Sequence, residues 1–278
     1  MKIAAITCAY NEDKFLPIWL DYYTRELGSE NLYVVDDGSN VPIHSFFPNA
    51  LRVPRAEHFS AFRPWQLATG MQNLLFSLGY EVVIFADVDE FIIPCREQYQ
   101  GLQHFFHENK ADVYTTVGLE IPQNLNSESS LDWTKPIFQQ RRYCRFSTTY
   151  CKSQITRKPW DWVNHLHLTT VAPPPHPKLF NCHLKLVDFD YACMKLRDNQ
   201  NHRFVEQEVL HGLNGHWRFT HKQLFDTNYK SFLSKPVDPS WNFDIEISHC
   251  QKVLSNDGGF DLAQPLKILP DFFEKTGV

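Results

Sequence analysis

The chain has no run of about 18 apolar residues, so no membrane-spanning helix is expected from it. It also lacks a basic excess. Its 27 Lys and Arg stand against 32 Asp and Glu, a formal net charge of -5. That balance excludes a general nucleic-acid binder, because no positive charge is left over to neutralise phosphates. The seven cysteines are odd in number and show no Cys-x-x-Cys spacing. They read as free, mostly buried thiols of a reducing compartment. The N-terminus, Met1 to Thr7, enters an apolar strand directly, without the longer apolar region and cleavage site of a signal peptide. Cytoplasm is therefore the expected location. No internal repeat is visible, and only Pro173-Pro174-Pro175 is of low complexity.

What the chain does have is 43% hydrophobic residues, with 22 Phe, 7 Trp and 13 His among its 278 residues. That length is ample for a buried core in one large domain. The aromatic wealth fits two readings, a large core or a sugar-binding cleft in which ring faces pack on pyranose C–H faces. Composition alone does not separate them.

The first 120 residues alternate between two periodicities. Strands are expected at Lys2–Cys8, Asn31–Val35, Leu51–Pro54, Glu81–Ala86 and Asp112–Val117, and helices at Glu12–Leu27, Pro64–Leu78 and Tyr99–Asn109. Such alternation predicts an α/β fold with a mostly parallel sheet flanked by helices. Beyond residue 120 the pattern loosens. Asn124–Pro136 reads as a surface loop, Phe138–Phe146 and Lys152–Arg157 as strands, 173–175 as linker-like, Leu179–Val187 as a strand and Tyr191–Asn199 as a helix. Short helices and loops follow after Thr220.

Two acidic clusters, Asp36-Asp37 and Asp87-Val88-Asp89-Glu90, end expected strands. In an open parallel sheet both face the crevice beyond the strands' carboxyl ends. Asp87 and Asp89, at i and i+2, can share one hard divalent cation whose remaining positions are filled by diphosphate oxygens. The structural alternative is a solvated acidic turn capping a following helix.

Three segments taken together carry more information: Thr7-Cys8-Ala9-Tyr10-Asn11-Glu12, Val34-Val35-Asp36-Asp37-Gly38-Ser39 and Phe85-Ala86-Asp87-Val88-Asp89-Glu90-Phe91. In this order they resemble glycosyltransferase family 2 and its relatives of the GT-A (Rossmann-like) fold, most closely the D-x-D-E-F subgroup related to the family 92 type. The resemblance is strong over residues 1–95 and scattered up to about 190.

It implies a catalytic domain over 1–220, with a nucleotide-binding half at 1–120 and an acceptor half at 121–220. Residues 221–278 would then form a helical and loop extension packed on that domain. It further implies Thr7, Tyr10 and Glu12 against the nucleoside, and Asp36 accepting a hydrogen bond from base or ribose with Asp37 nearby. Arg63 would lie near the donor, and Gln66 and Asn73 would face the same crevice. The activity implied is transfer of a sugar from a nucleotide-sugar, UDP-linked by default, to a saccharide or other hydroxyl acceptor. The cofactor implied is Mn2+ or Mg2+ on Asp87 and Asp89. Peripheral membrane contact is left open.

Later residues complete the expectation. His183 and Lys185 lie two apart on an expected strand and would share a face, the histidine as a third metal ligand and the lysine toward phosphate. Lys152 and Arg157 are candidates for donor phosphate or fold. Glu120, at the end of the fifth strand, and Asp161, between Trp160 and Trp162, are candidates for the general base. Three other readings compete. A zinc hydrolase built on His165, His167, His176, His183, His202, His211, His216 and His221 lacks the tight ligand spacing, since Leu168-Thr169 follow the pair. A phosphatase using an Asp-x-Asp nucleophile wants its acids after the first strand. A non-catalytic carbohydrate-binding protein of the same fold is separated only by a turnover assay.

Overall fold

Strand β1 (Ile3–Ala9) alternates its side chains between two separate cores. Ile3 and Ala5 pack with helix α1 (Phe15–Leu27), through Phe15, Trp19, Tyr22 and Tyr23. Ala4 and Ile6 pack with helix α2 (Phe62–Ser77), through Ala68, Met71 and Leu75. The period of two in a strand and the one-sided apolar stripe of each helix therefore set up a layered α/β arrangement. The computed structural model describes residues 1–167, 169–200, 202–211, 218–248, 250 and 265–278.

Around β1 the strands β2 (Leu32–Asp36), β3 (Ala50–Arg52) and β4 (Val82–Phe85) form a parallel set in the order β3-β2-β1-β4. The chain winds outward from β1 to β3, then returns through α2 to β4 on the other side of β1. The crevice of such a sheet lies at that reversal, beyond the carboxyl ends of β1 and β4.

The sheet continues through β5 (Glu90–Pro94), β6 (Val113–Glu120), β7 (Tyr143–Phe146), β8 (Ile155–Thr156), β9 (Pro175–His183) and β10 (Lys267–Ile268). Its main path runs β10-β7-β6-β8-β4-β1-β2-β3, and β9 pairs with both β5 and β6. Pairing of β6 with β9 is again parallel, whereas β5, β7, β8 and β10 join antiparallel. Helix α3 (Leu102–Glu108) joins the α1 face. Helix α4 (Trp162–His165) joins the α2 face through Trp162. Helices α5 (Phe189–Gln200), α6 (Glu206–Leu210), α7 (His221–Leu224) and α8 (Lys230–Leu233) follow. The fold is α/β, a Rossmann-like sheet flanked by helices.

Most of the aromatic residues serve the core. Trp19, Trp162, Tyr22, Tyr23, Phe85, Phe91, Phe105, Phe106 and Phe180 are among the largest fully buried side chains.

Four expectations need correction. Glu90 is neither a turn residue nor the start of a helix, because it opens β5. Strand β9 starts at Pro175, inside the stretch expected to be a linker, and ends at His183. Lys185 therefore stands in the turn after the strand instead of on it. Gln66 and Asn73 are exposed, while the neighbouring Gln72 is buried and accepts from the Trp160 backbone N–H at 2.7 Å. The C-terminal segment is not only helical and loop, since β10 adds an edge strand against β7. The expected His216 lies outside the described residues, and no described helix is long and apolar enough to cross a membrane.

Candidate functional site

The turns after β1 and β2 are interlocked. Asp37 N–H donates to the Ala9 carbonyl at 3.0 Å, and Asn11 N–H donates to Ser39 Oγ at 3.1 Å. Asn11 Oδ1 accepts from Asn40 N–H at 2.8 Å. Asn11 holds this place at φ 46°, a left-handed conformation that asparagine tolerates better than most residues. Gly38 is required twice over: its φ is 77°, and a Cβ there would stand 2.8 Å from Arg55 Cβ.

Within this double turn the expected nucleoside residues are largely engaged by the protein itself. Asp36 is buried and accepts from Ser39 N–H (2.7 Å), Ile43 N–H (3.1 Å) and Arg52 Nη1 (3.1 Å). Burial alone would raise its carboxyl, but those donors hold it below the usual carboxylate range. Asp37 pairs with Arg55 and with Arg63, whose Nε lies 2.9 Å away. The Arg55 guanidinium lies 3.8 Å from the centre of the Tyr10 ring. Glu12 caps the start of α1 through the Phe15 N–H at 3.2 Å. It also accepts from Tyr191 Oη (2.7 Å) and Lys195 Nζ (2.8 Å), both on α5. Thr7 is fully buried, its hydroxyl without a partner among the described residues.

The second cluster forms where β4 turns into β5. Lys152 Nζ lies 2.8 Å from Asp87 Oδ2 and 2.5 Å from Glu90 Oε1. Burial would lower the lysine's pKa and raise both acids. The ion pairing instead holds the ammonium above its ordinary value and Asp87 below its own, while Glu90, the most deeply buried, stays raised. Asn181 Nδ2 donates to Glu90 Oε2 at 3.2 Å.

Beside this cluster a row of side chains crosses four strands. Glu90 on β5 is in register with His183 on β9, His183 with Glu120 on β6, and Glu120 with Arg145 on β7. Directly paired residues share one face of a sheet, so the charges line up. His183 Nδ1 lies 2.8 Å from Glu120 Oε1, and Arg145 Nη2 is 3.8 Å from Glu120 Oε2. The other imidazole nitrogen, Nε2, faces Asp89 Oδ2 at 3.5 Å. Burial would raise Glu120, but His183, Arg145 and Lys185 bring it below the usual range. Burial lowers Lys185 despite the opposing pull of Asp89 and Glu120.

Asp37 follows β2 and Asp87 follows β4 in the parallel set, so both clusters border the region beyond the carboxyl ends of those strands. Burial, and then the charges of Asp87 and Asp37 against the pull of Arg63, push the thiol of Cys8, near the end of β1, well up. A separate cavity of about 250 Å³, lined by Arg141, Tyr143 and Phe273 among others, shares no residue with the crevice.

No family model matches the chain, and no curated relative matches it. Among solved structures the fold is similar to that of S. aureus TarS in complex with UDP-GlcNAc, at 14% identity and a TM-score of 0.33, over 83% of this chain and 76% of that one. It is similar also to a mannose-1-phosphate geranyltransferase from Thermus thermophilus, at 7% identity and a TM-score of 0.33, over 72% of this chain and 61% of that one. Likenesses this distant bear on neither substrate nor chemistry, which are argued from the residues.

Among the described residues no three His, Cys, Asp or Glu side chains converge as a cation site. The donor set nevertheless fits a hard divalent ion held partly by substrate. Burial would lower the His183 pKa, but Glu120 and Asp89 outweigh it and favour a proton on Nε2 facing Asp89; a divalent cation would take that proton's place between the Nε2 lone pair and the Asp89 carboxylate. A carboxylate behind a ligating histidine is the usual support for such a ligand. Ions of the Mg2+ type take one or two protein carboxylates and fill up with phosphate oxygens and water. Asp87, by contrast, has a cation already in Lys152.

Asp161 stands apart from this row. It caps α4, accepting from Val163 N–H (3.0 Å), Asn164 N–H (3.3 Å) and Asn164 Nδ2 (2.6 Å). Chiefly through that Asn164 side chain its carboxyl is lowered. Arg157 is occupied with the carbonyls of Phe106 (2.6 Å) and Asn109 (3.0 Å). Sequence reasoning missed Arg55, Tyr150, Arg145 and Asn181. Only Asn181 carried a signal, lying two residues before His183 on the same strand.

Proposed function

We propose that this chain is a metal-dependent glycosyltransferase that moves a sugar from a nucleotide-diphosphate donor, UDP-linked by default, to a hydroxyl acceptor with inversion. The observation that carries the reading is the Asp89–His183 pair at 3.5 Å, backed by Glu120 and standing at the mouth of the β1/β4 crevice. Mn2+ or Mg2+ bound there would offset the charge that grows on the leaving diphosphate. Lys185, in the turn after β9, would meet phosphate charge, and Lys152 keeps the Asp87–Glu90 turn from repelling the donor. Tyr10, with Arg55 over its ring, supplies a flat surface for the base. The Asp37–Arg63 pair holds that side of the crevice in shape.

Inversion needs one group to take the acceptor hydroxyl's proton. Both candidates are hydrogen-bonded, Glu120 to His183 and Asp161 as the cap of α4, but Glu120 is buried and Asp161 exposed, so we assign the role to Asp161, which an acceptor hydroxyl can reach.

The test is a panel of nucleotide-sugars with Mn2+, read as nucleotide release with and without a saccharide acceptor. Release that a chelator stops and Mn2+ restores is the expected result. Full turnover in chelator, or no release from any donor, removes the proposal. In the same assay Asp161→Asn should lower transfer by about a hundredfold, and near-normal transfer moves the proton acceptor to Glu120.

A further inference from the structure

Gly118, in β6, has no room for a side chain. A Cβ there would lie 2.4 Å from the Ser147 carbonyl oxygen and the Tyr150 carbonyl carbon, and 2.5 Å from the Cys151 nitrogen. These obstacles are backbone, which cannot swing aside. Ser147 N–H donates to the Gly118 carbonyl at 2.9 Å, and Gly118 N–H approaches Cys151 Sγ at 3.3 Å. The segment from Ser147 to Lys152 therefore lies flat against β6 and crosses toward β9.

This crossing delivers several groups to the crevice at once. Lys152 enters between Asp87 and Glu90. The Thr149 carbonyl meets His167 Nδ1 at 3.0 Å. The Tyr150 ring lies flat on the His183 imidazole, with centroids 3.8 Å apart and planes 18° from parallel. Asn181 ties the arrangement together, donating at 3.2 Å to both the Tyr150 carbonyl and Glu90.

The geometry points to Tyr150 as the positioning residue for His183, its ring fixing the imidazole plane so that Nε2 stays directed at Asp89. A single contact through Nδ1 leaves the imidazole free to tilt about its Cβ–Cγ bond. A flat ring at van der Waals distance removes that freedom, because any tilt of one ring breaks contact along the other. The face of a phenol ring is also electron-rich, which suits an imidazole carrying positive charge from a proton or a cation. For its effect on cation binding the inference rests on the Asp89–His183 reading of the site. Its geometric content does not.

The experiment compares wild type with Tyr150→Phe and Tyr150→Leu by two readouts. One is the His183 imidazole in metal-free protein, followed by proton–nitrogen NMR for a protected Nδ1–H held by Glu120. The other is Mn2+ affinity in the presence of UDP. Tyr150→Phe should restore both to near wild-type values. Tyr150→Leu should lose the protected proton and weaken Mn2+ binding by about tenfold or more, the scale seen when a ligand's support is removed. If Tyr150→Leu does not fold, Tyr150→Met, whose longer unbranched side chain adapts better to the space, replaces it.

Unchanged NMR and Mn2+ affinity in the non-aromatic variant overturn the inference. So does a Phe variant that falls as far as the Leu variant, because the hydroxyl would then be the active part. If wild type itself takes up no Mn2+ with UDP, the metal reading fails separately. Tyr150 is then judged on the metal-free NMR alone.

Discussion

Asp87 and Asp89 are two residues apart and chemically identical, yet their surroundings give them different work. Asp87 is joined to a buried ammonium that it shares with Glu90, whereas Asp89 faces an imidazole nitrogen across 3.5 Å. Removing the charge of Asp87 leaves Lys152 with one carboxylate in a buried setting, and a half-broken buried pair is costly. Removing that of Asp89 leaves the ion pairs of Lys152 intact. Asp87→Asn should therefore depress the melting temperature more than Asp89→Asn. Asp89→Asn should lower Mn2+-dependent nucleotide release by about a hundredfold, as fits loss of several kcal/mol of charge stabilisation. Scanning fluorimetry and the release assay on both variants check this, and the reverse ranking in either would show the roles exchanged. The sequence made the pair visible but not this division, because Lys152 lies 65 residues from Asp87 and nothing local announces their meeting. His183 was legible through its place on an apolar strand. Tyr150 was not, since its value arises only from the ring it covers.

At the scale of elements, the strands and helices of the first 120 residues other than β5 were readable because their patterns stand between Gly, Pro and acidic turns. What escaped was short or interrupted. β5 opens on Glu90, the last residue of the acidic cluster that ends β4, so nothing in the sequence separates the turn from a new strand. β9 opens on prolines, which suit the first residue of a strand but resemble a linker in sequence. β6 was expected as a strand, but a lone glycine inside it gives no hint of which backbone comes close. Gly118→Ala tests that closeness. A Cβ 2.4 Å from backbone atoms forces the 147–152 segment to shift, an overpacking that costs about 1–3 kcal/mol. The melting temperature should fall, and Mn2+ affinity with UDP should fall with it, since Lys152 and Tyr150 move as one. A wild-type melt and wild-type affinity would mean that the segment yields without carrying the site along.

At the scale of the whole molecule, buried carboxylates tie the N-terminal turns to helices that arrive late in the chain. Glu12 is the clearest case, joining the turn after β1 to α5 through Tyr191 and Lys195. Burial works against its ionised form, but the Lys195 charge, the two side-chain donors and the Phe15 N–H more than offset this, and its pKa falls below the ordinary 4.5. Asp36, held by Ser39, Ile43 and Arg52, falls below 3.8 in the same way. A carboxyl whose folded pKa is depressed stabilises the fold fully above its unfolded pKa. That stabilisation is lost as pH drops through the folded value, because the unfolded chain then binds protons more readily. Stability should thus be level in this respect near neutrality and decline progressively below about pH 4.5. Glu12→Gln should melt lower than wild type at pH 7, where the pairing with Lys195 is complete. The gap should narrow progressively as the pH falls below about 4.5, because wild type then begins to lose what the variant never had. Melting temperatures of both proteins across pH 3–7 decide the matter. Parallel curves, with an unchanged gap at every pH, would show that Glu12 acts through shape and hydrogen bonding alone, without the charge that links the two ends of the chain.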